Sequence, residues 1–185
     1  MKNILLLVLF ISALSCRAQQ IYSLRPTEID LPENSYQKDT NNELPAYEGT
    51  WKGIWDNKTI FITFKKITNK YDNNFKHYKD YLIAKFKVID LNNNNILFDN
   101  TNLADDIAKI KGVSFRRYGD KYSLVFIDPD LCNTSGSITI NFTDSSKTKL
   151  GWKYLYNNEI ITSDCPYYNT MIPQPLPKEI ILTKQ

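Results

Sequence analysis

Histidine is almost absent from this sequence: His77 is the single one among 185 residues. A Ser-His-Asp or Cys-His arrangement needs a histidine within hydrogen-bonding reach of its nucleophile. His77 lies in the polar stretch Lys70 to Lys79, where a surface imidazole is the expectation. Glycine is scarce too, at six residues, which leaves little room for a glycine-rich loop around phosphates. Charge of one sign is lacking: 23 Lys and Arg against 20 Asp and Glu leave a net +3, with both signs interspersed. No basic surface therefore argues for nucleic acid, and the locally basic Lys65 to Tyr71 reads as a solvated strand end. Three cysteines are too few for a disulfide-dense scaffold. Long apolar runs are missing; none reaches the roughly 20 residues a membrane-spanning helix requires. No metal or cofactor is expected, and no catalytic constellation is visible.

The N-terminus is informative. Lys2 is followed by a mostly apolar run from Ile4 to Leu14, the layout of a secretory signal over residues 1–16. Ala13-Leu14-Ser15-Cys16 resembles the lipobox of bacterial lipoproteins, which implies that Cys16 is acylated and anchors the chain to a membrane. The alternative is ordinary cleavage after Ala18, with Cys16-Arg17-Ala18 as the small-x-small site. Either route exports the protein, and the lipobox places it in the cell envelope of a Gram-negative-type bacterium, facing the periplasm or the surface. Two cysteines then remain in the folded part, Cys132 and Cys165, and an oxidising compartment favours a disulfide between them.

Residues 17–45 are polar, with three prolines, and read as a flexible tether; the alternative is that Ile21 to Leu24 pairs onto the domain as an edge strand. Residues 46–185 read as one β-rich domain. Ile60, Ile62 and Phe64 alternate with Phe61, Thr63 and Lys65, and Leu82, Ala84, Phe86 and Val88 alternate with Ile83, Lys85, Lys87 and Ile89. Gly119-Asp120 and Asn157-Asn158 mark hairpin turns. Ile138, Ile140 and Phe142 share a face, as do Leu150, Trp152, Tyr154 and Tyr156. One segment breaks the period: Leu103, Ile107 and Ile110 stand at helical spacing between Asn102 and Gly112, which predicts one short helix near 102–111. The fold class is mainly all-β, a single antiparallel barrel or sandwich of about eight or nine strands.

Carboxylate pairs were weighed as glycosidase-type acids. Asp105-Asp106 suits a helix start, and Asp128-Pro129-Asp130 suits a turn; the structural reading is preferred for both. Asp90 to Asn95 spaces oxygen ligands like a calcium loop, but Asn95 stands where glycine belongs and Thr101 where the bidentate Glu belongs. A polar turn is the better account.

The aromatics carry the remaining signal. Tyr47-Glu48-Gly49-Thr50-Trp51-Lys52-Gly53-Ile54-Trp55 resembles the Gly-x-Trp first-strand motif of lipocalins and related calycin barrels. That resemblance implies a barrel with Trp51 closing one end, against the closing strand near Ile181 and Leu182. A second resemblance, to an uncharacterised family of bacterial exported proteins, rests on Gly49 to Gly53, Leu150-Gly151-Trp152, Leu176-Pro177 and Ile181 to Lys184; it brings no activity with it. Trp51, Trp55, Ile60, Ile62, Phe64, Phe86, Trp152 and Tyr154 are the candidates for lining a ligand cavity or filling a core. Two readings of function follow. One is an interaction protein that binds another envelope protein, a toxin or a glycan through surface aromatics. The other is a calycin-like barrel that holds a small apolar ligand. A hydrolase built on Asp or Glu is a distant third.

Overall fold

A computed structural model describes residues 19–25, 30–157 and 161–185. The segment read as a secretory signal, Cys16 and the second residue of the Asn157-Asn158 turn lie outside the described residues. Among the described residues the eleven strands are β1 (Ile21–Ser23), β2 (Tyr36–Lys38), β3 (Gly49–Trp55), β4 (Lys58–Asp72), β5 (His77–Asp90), β6 (Ile96–Asp99), β7 (Ile110–Phe115), β8 (Tyr122–Asp128), β9 (Thr134–Phe142), β10 (Lys149–Tyr156) and β11 (Glu179–Lys184).

Eight of them, β3-β4-β5-β7-β8-β9-β10-β11, form a closed antiparallel barrel in chain order. Closure has two seams. Ile83 and Ala84 of β5 pair with Lys111 and Ile110 of β7, and Lys52 and Trp51 of β3 pair with Thr183 and Lys184 of β11. Closure removes the exposed edges that an open sheet would leave. The alternation read in β4 and β5 points as expected: Ile60, Ile62, Phe64, Leu82, Ala84, Phe86 and Val88 are all buried.

The 14-residue β5 is long enough for one of its edges to serve three partners in succession. β2 pairs near Tyr78, β7 near Ala84 and β6 near Val88. β6 exists because Asp90 to Asn95 reverses the chain: Asp90 N–H donates to Asn95 O at 2.9 Å, and Asn94 adopts the left-handed φ of 59°. That is the polar turn expected there.

Three expectations need correction. No helix forms over 102–111. Only Asp105–Ile107 makes a single 3₁₀ turn, and Ile110 opens β7 with no exposed surface. The barrel seam claims Ile110, while Asp105 pairs with Lys65 and Lys85 on the neighbouring strands; tertiary pairing outweighs the local helical spacing. The described part of the stretch read as a tether is packed on the domain. β1 runs parallel to β2, and β2 parallel to β5. Two apolar residues of the segment, Leu24 and Leu44, are fully buried, and two buried carboxylates accept from its backbone. Asp80 accepts from Tyr36 Oη (2.5 Å) and Asp39 N (3.0 Å); Asp39 accepts from Lys66 Nζ (2.8 Å), Glu43 N (2.8 Å) and Leu44 N (3.0 Å). Finally, His77 is buried at the start of β5, with its Nδ1 against Phe75 O at 3.2 Å and its ring beside Phe75.

Connecting segments add buried residues at both barrel ends. At one, the 3₁₀ turn Leu44–Tyr47 lies before Trp51 and buries Leu44 and Tyr47. At the other, residues 161–178 join β10 to β11 and bury Ile172 and Leu176. Trp152 Nε1 donates to Pro177 O at 3.1 Å, and the Cys132–Cys165 disulfide, with Cα atoms 5.4 Å apart, ties this crossing to the start of β9.

Candidate functional site

The residues singled out as ligand-lining or core are core. Trp51, Ile60, Ile62, Phe64, Phe86, Trp152 and Tyr154 belong to one buried cluster and are at most 3% exposed; Trp55 is half-buried against it, with Lys58 Nζ 5.6 Å over its ring. The interior is tight as well as apolar. A methyl group at Gly53 would meet Ile180 Cδ1 at 2.6 Å and Leu182 Cδ2 at 2.7 Å. One at Gly136 would overlap the Tyr154 ring, and one at Gly112 the Tyr122 hydroxyl. Three interior glycines therefore stand where neighbouring strands press rings and aliphatic tips into the space a Cβ would need. Gly53 accommodates side chains of β11, and Gly49 is required for a different reason, its φ of +105°.

Buried polar chemistry in the barrel is structural. Tyr122, wholly buried, receives Leu82 N–H at 3.4 Å, and its phenol is pushed up by that burial. Burial pushes Tyr47 up to about 12. Both are held as neutral phenols. Asp128 caps the turn that follows β8, accepting from Asp130 N at 3.1 Å. Lys109 Nζ bridges Asp128 and Asp130 at 2.5 and 2.7 Å. Burial alone would lower the Lys109 pKa, but the hydrogen bonds to Asp128 and Asp130 raise it on balance. Asp105 is held low by its hydrogen bonds to Lys65 and Lys85. Asp105 and Asp128 are thus held by lysines, while Asp106 and Asp130 share the lining of one cleft with Lys109 and Lys111, and Asp130 is paired there with Lys109. Among the described residues no three His, Cys, Asp or Glu side chains gather as a metal set.

The clefts lie outside the barrel wall. One, of about 500 Å³, is apolar and runs between the Leu103 to Ala108 segment and the outer face of β7 and β8, against Val125, Ile127 and Pro129. A smaller one, of about 310 Å³, sits at the Trp51 end among Arg25, Tyr47, Phe115 and Phe142. There Arg25 stacks 4.4 Å from the Phe115 centroid, and its hydrogen bond to Glu43 raises its pKa. A third, of about 760 Å³, opens beside the β2–β5 pairing and is polar, lined by Gln19, Gln20, Glu33, Asn34, Ser35 and Tyr78. Next to it the β4–β5 hairpin presents an aromatic tip. Tyr71 meets Tyr78 edge-on at 5.0 Å, and Phe75 is 69% exposed.

Sequence reasoning missed this third cleft because its walls fall in the stretch read as a tether. The available signal was Pro32-Glu33-Asn34, a turn triplet before Tyr36; Asn34 has φ 63°. A turn there returns the chain to pair with β5, and the cleft forms between the two passes.

Fold and geometry together define a closed eight-stranded antiparallel barrel with an apolar interior and several surface clefts. The whole chain, residues 1–185, matches the model of a family of unknown function (DUF6705), and the chain belongs to that family. No curated protein and no solved structure matches it.

Proposed function

We propose that this is an exported cell-envelope protein, held to the membrane by a lipid on Cys16, that works by binding a partner on its outer surface. One observation carries the reading: the barrel interior is filled to the point where three glycines have no room for a methyl group, whereas the clefts and the aromatic hairpin tip lie outside. A small apolar ligand inside a calycin-like barrel would have to displace packed rings, which close packing resists. Exposed aromatic anchors beside a polar rim are the composition of interaction surfaces. The Cys132–Cys165 disulfide is compatible with an oxidising compartment.

The test is affinity capture from envelope extract with the mature protein, followed by native mass spectrometry of the same preparation. A co-purifying macromolecule that is lost in Phe75→Ser, with the melting temperature unchanged, supports the reading. A stoichiometric small apolar mass retained by the protein would replace it with the ligand-barrel reading. The anchor is tested separately: Cys16→Ser should move the protein from the membrane fraction to the soluble one, because stable anchoring needs the acyl chains. Wild-type protein that is already soluble and begins at Gln19 would refute it.

A further inference from the structure

Ser35, one of the residues lining the cleft beside β2 and β5, is 2% exposed and carries a buried hydroxyl that has no hydrogen-bond partner among the described residues. The rest of that residue is fully used: Ser35 N–H donates to Pro32 O at 3.1 Å, and Ser35 O accepts from Tyr78 N at 2.8 Å. The side chain therefore contributes nothing to the local turn. A buried polar group without a partner is unfavourable in a folded protein and calls for an explanation.

The walls around it indicate what would bond there. Gln20 Oε1 receives the Tyr22 hydroxyl at 3.0 Å, which leaves the amide nitrogen as a donor on an exposed residue. Gln19 Nε2 donates to Asn34 O at 3.0 Å. The charges cancel at the rim, because Glu33 pairs with Lys76 at 2.7 Å. Amides, hydroxyls and a phenol supply both donors and acceptors without net charge. The Tyr78 ring, propped by Tyr71, and the exposed Phe75 add apolar faces beside them. The volume, about 760 Å³, falls within the range of about 300–1,000 Å³ that small-ligand sites occupy. A ligand that matches is rich in hydroxyls, carries C–H faces that stack on aromatic rings, and is uncharged.

We infer that this cleft binds a neutral oligosaccharide, with Tyr78 under a sugar ring, Gln20 on its hydroxyls and Ser35 Oγ completed by the ligand. The inference rests on the outer-surface reading above and gives it a ligand class. An anionic ligand would meet no unpaired cation in Lys76, and an apolar one would leave the amides and hydroxyls of the walls unbonded.

The test is an array of neutral oligosaccharides of glucose, N-acetylglucosamine, mannose and galactose, probed with the mature protein and followed by calorimetric titration of whichever is retained. Binding of at least one class is expected, weakened about ten-fold by Gln20→Ala and by Tyr78→Ala, the loss of about one anchoring contact each. Ser35→Ala should weaken it too while leaving the melting temperature level or higher, since no protein partner of that hydroxyl is lost. The Gln20 side chain is exposed and bonds only to Tyr22, and the backbone bond from Tyr36 N to Gln20 O survives the substitution, so its variant keeps the fold. No retention at millimolar sugar, or binding indifferent to Gln20→Ala and Ser35→Ala, overturns the inference. A captured protein partner with no sugar retained overturns the ligand class and leaves the outer-surface reading standing; a small apolar mass inside the barrel overturns that reading instead.

Discussion

Lys184 Nζ lies 5.3 Å over the indole of Trp51 and reaches the carbonyl of Ala46 at 3.1 Å. One side chain of β11 thereby holds the first barrel strand and the 3₁₀ turn before it. The indole is fixed from the other side as well, since Trp51 Nε1 donates to Tyr47 O at 2.8 Å and the ring packs near Phe142.

Trp51→Ala should therefore destabilise the domain by about 3–5 kcal/mol, the usual effect of emptying a large aromatic site. Lys184→Met, which keeps the stem and removes the charge, should cost about 1 kcal/mol, the size of a cation–π contact with one hydrogen bond. Urea titration of both variants measures this. Trp51→Ala within error of wild type would mean that the seam is held elsewhere.

Gly136→Ala should destabilise by about 1–3 kcal/mol, the range for overpacking a full core. The added methyl would meet the Tyr154 ring and the Leu155 carbonyl. A variant as stable as wild type would show slack in the interior and weaken the case against an internal ligand. Thermal melts decide it.

Reducing the Cys132–Cys165 bond, which spans 33 residues, should lower stability by about 3–4 kcal/mol in the chain-entropy account. The loss should appear first as faster amide exchange over residues 161–178, which are joined to the body by Leu176, the Trp152–Pro177 hydrogen bond and the disulfide. Exchange that accelerates evenly through the barrel instead would contradict a local clasp. Thiol titration of unreduced, denatured protein should find Cys132 and Cys165 unreactive.

Asp144 gives a pH dependence. Hydrogen bonds from the Ser146 hydroxyl and from Thr148, with Lys149 N adding a further one, hold its carboxyl well below the usual carboxylate range. A depressed carboxylate stabilises fully above its unfolded value, about 3.9, and loses that contribution as pH falls through the depressed folded value. Wild type should melt higher than Asp144→Asn at neutral pH, with the gap narrowing only below about pH 4. A gap that stays constant down to pH 2 would show that the carboxylate form is immaterial.

Much of the architecture was written locally. Period-two alternation in β4 and β5 names the inward residues because successive side chains of a strand must face opposite ways. The Gly49-Thr50-Trp51 opening placed the indole at a barrel end. An export signal with two remaining cysteines predicted their bond, which the structure contains. The failures share a cause in contacts distant along the chain. Leu103, Ile107 and Ile110 carry a helical spacing, yet Ile110 became the seam with Ala84. Residues 17–45 look like a tether by composition, yet Asp80 of β5 accepts from Asp39 N, and Asp39 in turn accepts from Leu44 N and pairs with Lys66 of β4. His77 looked exposed because its neighbours are polar, and is buried because β2 crosses beside it. What the sequence determined by itself was the class of most segments, because alternation and turns depend on neighbours a few residues away. Only the tertiary structure decided that the barrel closes and fills, and that a cleft opens where β2 folds back onto β5, because each requires residues dozens of positions apart to meet.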